Sequence, residues 1–317
     1  MSKFYTNVAL QKNDVLLCGY ENGHRIRERV PYSPYLFVPT PKVTKFRTLD
    51  GQGVGRVDFS TIKEAREFLA QYKDVYGTTV YGSNNFAYNF IFDTYRGEIQ
   101  YDPSLISVVG IDIEVDIAND KGFPDIQAAD NEITLITISR NGKKAVFGCQ
   151  PFDNTRDDVT YYLCKDEKAL LQSFLEVWNS VEFMPDVVTG WNIEFFDIPY
   201  LINRIMRVLG PTAARKLSPW GILNENKILV MGKEQQVYVP VGVAVIDYIQ
   251  AYKKFAYTPQ ENYTLDHVCF MELGERKLEV ANGRHNILFF TGGADSVKVD
   301  DSIPDDQLED FEKLARV

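Results

Sequence analysis

The 317-residue chain is 45% hydrophobic and 25% charged, an ordinary globular balance with material for two modest domains or one large one. No apolar run approaches a membrane span, residues 1–20 carry scattered charge rather than a secretory signal, and Cys18, Cys149, Cys164 and Cys269 form no C-x-x-C pair. These features exclude an integral membrane protein, a disulfide framework and a zinc ribbon, and they predict a reducing cytoplasm; the formal net charge of −10 argues against a strong duplex binder.

The first hundred residues read as mixed β with one helix. Residues 15–20 and 25–30 are predicted to pair around Glu21-Asn22-Gly23, a turn cluster. The stretch 31–41 is extended and punctuated by prolines. Over 61–72, Ile62, Ala65, Phe68 and Leu69 recur at helical spacing, with Ser60 as the expected N-cap. Residues 78–81 and 86–94 return to β.

The texture changes near Ser107. Ile106, Val108, Val109, Ile111, Ile113 and Val115 make a strand of the kind buried inside a sheet. Residues 132–139 and 144–148 follow as an antiparallel pair across Asn141-Gly142, a strong hairpin turn. Asp166 caps a helix in which Leu171, Phe174, Leu175 and Trp178 share one face. A short strand at 186–189, a helix at 198–209 closed by Gly210, and strand-like runs over 237–249 complete the pattern. This order predicts an α/β fold, a mixed sheet flanked by helices, with the acidic strand central. It divides the chain into a mainly β domain (1–105), an α/β domain (106–280) and a divergent acidic tail (281–317).

Acid is concentrated in the middle of the chain. Residues 1–105 hold 13 Lys/Arg against 11 Asp/Glu, whereas the α/β part is strongly negative. Asp112 and Glu114 stand two apart on the apolar strand and therefore share a face. Paired carboxylates repel one another and resist desolvation, and a divalent cation relieves both costs. Asp116 continues the same alternation. A solvated strand face is the plainer reading of such a D-x-E pair. Asp197, in Thr189-Gly190-Trp191-Asn192-Ile193-Glu194-Phe195-Phe196-Asp197, opens the helix that carries Pro199, where an Asp commonly serves as a cap.

A D-x-E strand followed about eighty residues later by N-x-x-x-F-D resembles the first two motifs of the DnaQ-like, ribonuclease-H-related 3′→5′ exonucleases. Thr189-Gly190-Trp191-Asn192 with Phe196-Asp197-Ile198-Pro199-Tyr200 is similar to the family B DNA polymerases of T-even-like bacteriophages. So are Asp93-Thr94-Tyr95, Phe123-Pro124-Asp125, Pro151-Phe152-Asp153-Asn154, Ser218-Pro219, and Asp247-Tyr248 with Tyr252-Lys253-Lys254-Phe255. The similarity runs, with gaps, from about residue 4 to about residue 280.

The resemblance implies a ribonuclease-H-like proofreading domain that hydrolyses 3′-terminal nucleotides of DNA by a two-metal mechanism with Mg²⁺ or Mn²⁺. It implies that Asp112, Glu114 and Asp197 are the metal ligands. It places Phe123 beside the terminal bases, and has Asn192 and Phe196 support and wall the site. The expected partners are a single-stranded DNA 3′ end or primer–template, a sliding clamp and other replisome proteins, in the host bacterial cytoplasm if the chain is phage-encoded. The family also has a third motif, Y-x-x-x-D, whose Asp completes the metal site. No tyrosine follows Tyr263, and Tyr263-Thr264-Leu265-Asp266 has the wrong spacing and suits a helix start instead. A split polymerase follows as an expectation, with a second polypeptide supplying the third Asp and the polymerase domain. The competing class is a non-catalytic nucleic-acid-binding or assembly subunit, in which Arg25, Arg27 and Arg29 with Tyr32, Tyr35 and Phe37 hold a single strand.

Overall fold

Alternation of polar and apolar residues sets the first elements of the structure, a computed structural model that describes residues 3–276 apart from 74, 117–123 and 231. Strands β1 (Lys3–Gln11), β2 (Asp14–Glu21) and β3 (His24–Pro31) form an antiparallel meander. The expected hairpin is present: Asn22 and Gly23 take φ of 51° and 81°, the left-handed pair that a two-residue turn requires. Strands β4 (Tyr35–Pro39), β5 (Phe46–Arg47) and β6 (Gly53–Asp58) make a second small sheet in the order β4-β6-β5.

Helix α1 (Ile62–Tyr72) starts one residue later than Ser60 would set it. Thr61 is the cap and accepts from the Glu64 N–H at 3.1 Å, while the Glu64 carboxylate accepts from the Ser60 N–H at 2.9 Å. Residues 86–94, expected as β, are helix α2 (Phe86–Thr94). Asn85 caps its first turn, and Phe86, Ala87 and Phe90 are buried at helical spacing, so tertiary burial overrides the strand preference of the aromatic residues. Residue Tyr81 contributes only an isolated bridge to Phe37.

The larger sheet follows in β7 (Val108–Val115), β8 (Ile133–Arg140), β9 (Lys143–Gly148), β10 (Val159–Leu163), helix α3 (Glu167–Trp178), β11 (Val187–Gly190), helix α4 (Asp197–Leu209) and the short α5 (Pro211–Ala214). A hairpin of β12 (Leu223–Val230) and β13 (Lys233–Pro240), then β14 (Ala244–Asp247) and helix α6 (Tyr248–Phe255), complete this region. The order is β10-β9-β8-β7-β11-β14, with β7 antiparallel to β8 and parallel to β11. The sheet is therefore mixed, and the acidic strand lies inside it as expected. Val109, Ile111 and Ile113 point into a core shared with Leu171, Phe174 and Trp178 of α3 and Leu201 and Ile205 of α4. A bidentate ion pair joins the two helices: Arg204 donates to both Glu167 oxygens at 2.7 Å and to the carbonyls of Ala129 and Asp130.

Asp186 fastens the amino-terminal meander to this sheet. Its carboxylate is 2% exposed and accepts from the Tyr20 hydroxyl at 2.8 Å, Arg25 at 3.0 Å, the Ser107 N–H at 2.8 Å and the Thr6 hydroxyl at 3.3 Å. The basic stripe of β3 is thus engaged within the protein. Arg27 donates to the Pro219 carbonyl and lies over the Trp220 ring, and Arg29 bonds to Gln11 and Asp14. The Tyr32 and Tyr35 hydroxyls both donate to Asp93 of α2. These bonds tie the stripe to the rest of the protein, while Arg25, Arg27 and Arg29 stay exposed.

By contact, Met1–Pro259 forms one unit and Gln260–Val317 a second. The described part of the second contains α7 (Leu265–Leu273), capped by Thr264 and closed by Gly274 at φ 73°. The tail from 281, with Asp295, Asp300 and Asp301, lies outside the described residues. All four cysteines are free, and among the described residues no helix is long and apolar enough to cross a membrane.

Replacing Asp186 by Ala strands one arginine, two hydroxyls and a buried N–H. We expect a loss of about 2–4 kcal/mol in urea unfolding with an unchanged m-value. A loss below about 0.5 kcal/mol, the range of an ordinary surface substitution, contradicts this role.

Candidate functional site

Strand β11 pairs with β7 only as far as Thr189 opposite Gly110. Beyond that point the N–H of Ile113 is taken by a side chain: Asp197 Oδ1 accepts it at 3.1 Å, across 84 residues of sequence. Asp197 is the first residue of α4 and is 4% exposed. It is not the cap of its own helix, because Phe196 occupies that position and makes no side-chain capping bond. The simpler sequence reading of Asp197 is therefore replaced by a contact with the acidic strand.

Three local features deliver Asp197 to this place. Gly190 ends β11 against β7 so closely that a Cβ would lie 2.5 Å from the Ile111 carbonyl oxygen and 2.4 Å from the Ile193 side chain. Asn192 then turns the chain at φ 64°, a conformation that asparagine tolerates better than most residues. The buried Asp247 carboxylate braces this loop, accepting from the N–H groups of Asn192 (2.9 Å), Glu194 (3.1 Å) and Ile249 (3.0 Å). In the sequence, Asp247 stands out only as part of the resemblance. Its bracing role depends on the β11–β14 pairing, so no local pattern marks it.

On β7, Asp112 is exposed and Glu114 half-buried, on the face opposite Val109, Ile111 and Ile113. A register shift follows Glu114, so strict alternation no longer places Asp116 with them. Burial raises the Asp197 carboxyl well above its ordinary range, and the nearby Asp112 charge raises it further; the bond from Ile113 offsets part of this, and Asp247 adds a smaller upward push. Glu194 is raised by burial and then by Asp247. The structure thus brings Asp112 and Asp197 together. Among the described residues, no group of three or more His, Cys, Asp or Glu is placed to hold a metal ion.

Two carboxylates in mutual repulsion, one of them buried, are donors that a hard divalent cation stabilises. Mg²⁺ is commonly held by one or two carboxylates together with water and substrate phosphate, and the pair here fits that pattern better than a closed protein cage. Phe196 is half-buried, with its ring 5.6 Å from Tyr200. Asn192 sits in the loop described above. Phe123 lies outside the described residues.

The raised carboxyl has a definite stability consequence. Native Asp197 keeps its proton to higher pH than the unfolded chain does, so ionising it costs stability as pH rises from the ordinary carboxylate range through its raised value. Asp197→Asn removes that cost and retains an oxygen for Ile113. In EDTA the variant should be more stable than wild type at neutral pH, by on the order of 1 kcal/mol, and the gap should close near pH 4. Thermal melts across pH check this; a variant less stable at every pH contradicts it.

Comparison with known proteins accords with this geometry. A family model described as DNA polymerase family B, exonuclease domain, matches residues 82–268. The DNA-directed DNA polymerase of Escherichia phage RB69 is 31% identical over 310 residues, covering 88% of this chain and 34% of the relative. That of Enterobacteria phage T4 is 30% identical over 306 residues, covering 88% and 33%. The DNA polymerase delta catalytic subunit of Plasmodium falciparum (isolate K1 / Thailand) is 30% identical over 210 residues, covering 59% and 18%. The chain spans about a third of the length of the two phage relatives. With a match over more than half of its length, and with an acidic central strand meeting a buried aspartate at the head of α4, the chain belongs to DNA polymerase family B and carries the exonuclease domain of that family.

Proposed function

We propose that this chain hydrolyses 3′-terminal nucleotides of DNA, as the proofreading exonuclease part of a DNA polymerase. The observation that carries the reading is the approach of Asp197 to β7 beside Asp112. When bound, two Mg²⁺ or Mn²⁺ ions would supply an activated water and stabilise the leaving oxygen of the phosphodiester. Asp112 and Asp197 would hold the ions, with Glu114, two residues along β7, as a further ligand on the same face. The Asp247 brace fixes the loop, so that Asp197 enters without a large reorganisation. Asn192 and Phe196, on the same loop, form the side along which the terminal nucleotide lies. The resemblance alone assigns Phe123 to the terminal bases.

In the split-polymerase reading, a second polypeptide brings a further carboxylate together with the polymerase domain. Nucleotide addition, the sliding clamp and primer–template binding belong to that assembly. The alternative reading is a non-catalytic nucleic-acid-binding or assembly subunit.

The two readings separate in one assay. Single-stranded DNA labelled near its 3′ end is incubated with the chain and Mg²⁺ or Mn²⁺, beside Asp112→Ala. We expect weak, metal-dependent shortening from the 3′ end, reduced at least ~10²-fold in the variant, the scale of losing one preorganised electrostatic stabiliser. Tight binding without shortening, equal in both proteins, contradicts catalysis and supports the binding subunit.

A further inference from the structure

Helix α6 displays its rings outward. Most short surface helices bury their aromatic residues and leave lysines in water. Here Ile249 is buried, while Tyr248 is 58% and Phe255 73% exposed. Tyr248, Tyr252 and Phe255 recur at i, i+4 and i+7, which places them along one face over about 10 Å of helix. Trp191 extends this face from the neighbouring loop, with its ring 6.3 Å from Tyr248 and 5.9 Å from Tyr252.

Positive charge accompanies the rings. Lys253 and Lys254 are exposed in the last turn of α6, and the Lys254 ammonium lies 5.6 Å from the Phe255 ring centroid. This basic pair stands on a chain whose formal net charge is −10. The stripe is also rigidly joined to the candidate site. Asp247, the cap of α6, holds the N–H groups of Asn192 and Glu194 in the loop that leads to Asp197.

We infer that this stripe is a stacking platform for single-stranded DNA, leading the strand toward the carboxylate pair. Unpaired bases offer faces that aromatic rings stack on without regard to sequence, and the lysines match the phosphates that run beside those bases. Paired bases in a duplex hide those faces, which sets the preference for single strands. Charge complementarity and continuity with the Asp197 loop favour a nucleic-acid occupant over a polypeptide. The inference rests on the exonuclease reading and adds to it a path for the strand.

Binding is measured by fluorescence anisotropy of a labelled oligothymidylate, in EDTA so that cleavage plays no part. Tyr248→Ala with Phe255→Ala should weaken binding roughly tenfold or more. Lys253→Ala with Lys254→Ala should weaken it at low salt and reduce the log–log salt slope by about 1.4, the value for two single-strand phosphate contacts. Tyr248→Phe with Phe255→Trp should bind like wild type, which separates stacking from a folding defect. Wild-type affinity in both alanine variants overturns the platform, as does a wild-type chain that binds no oligothymidylate. Reduced self-association with unchanged DNA binding also overturns it, in favour of a polypeptide on this face. A stripe-dependent affinity without any nuclease activity would sink the exonuclease reading and leave the platform standing. Cleavage with stripe-independent affinity would do the reverse.

Discussion

A side chain replaces a strand at the centre of this domain. The pairing of β11 with β7 ends at Thr189, and the backbone N–H of Ile113 is satisfied by Asp197 rather than by a neighbouring carbonyl. An unpaired N–H inside a sheet is costly, so the bond fixes where α4 must begin. The tight turn at Gly190, the left-handed Asn192 and the three-bond brace of Asp247 all serve that placement. Each is a backbone constraint, and together they bring a carboxylate into the middle of the sheet.

Two acids paired with arginine show what is unusual about this one. Asp186 and Glu167 are each matched by an arginine, Arg25 and Arg204, and each joins separate parts of the fold. Asp197 instead faces the charge of Asp112, and both burial and that charge favour its protonated form. The first two acids are compensated within the protein. Asp197 is a carboxylate whose ionised form a nearby cation would stabilise, in keeping with the proposed metal-dependent hydrolysis.

Much of this architecture was legible in the sequence, because the relevant signals are local. Asn141-Gly142 set the β8–β9 hairpin, and the apolar periodicity with Gly210 marked α4. Phe86–Thr94 was misread because its aromatic residues favour strands in isolation, while burial of Phe86 and Phe90 decides for helix. Asp112 and Asp197 were visible as a spaced pair, yet only tertiary structure shows that Asp197 bonds to β7 and does not cap its own helix. Asp247 was invisible as a functional residue, since its partners lie more than fifty residues away. Likewise, no local pattern marks the partners of Arg25 and Arg27, which lie 161 and 192 residues away in sequence.

The central claim is that Asp112 and Asp197 act as one cation site. Manganese binding to the isolated chain, followed by the electron paramagnetic resonance signal of free Mn²⁺, tests it most directly. Wild type should deplete the free signal, and Asp112→Ala or Asp197→Ala should each restore most of it. Equal depletion by all three proteins would contradict the account.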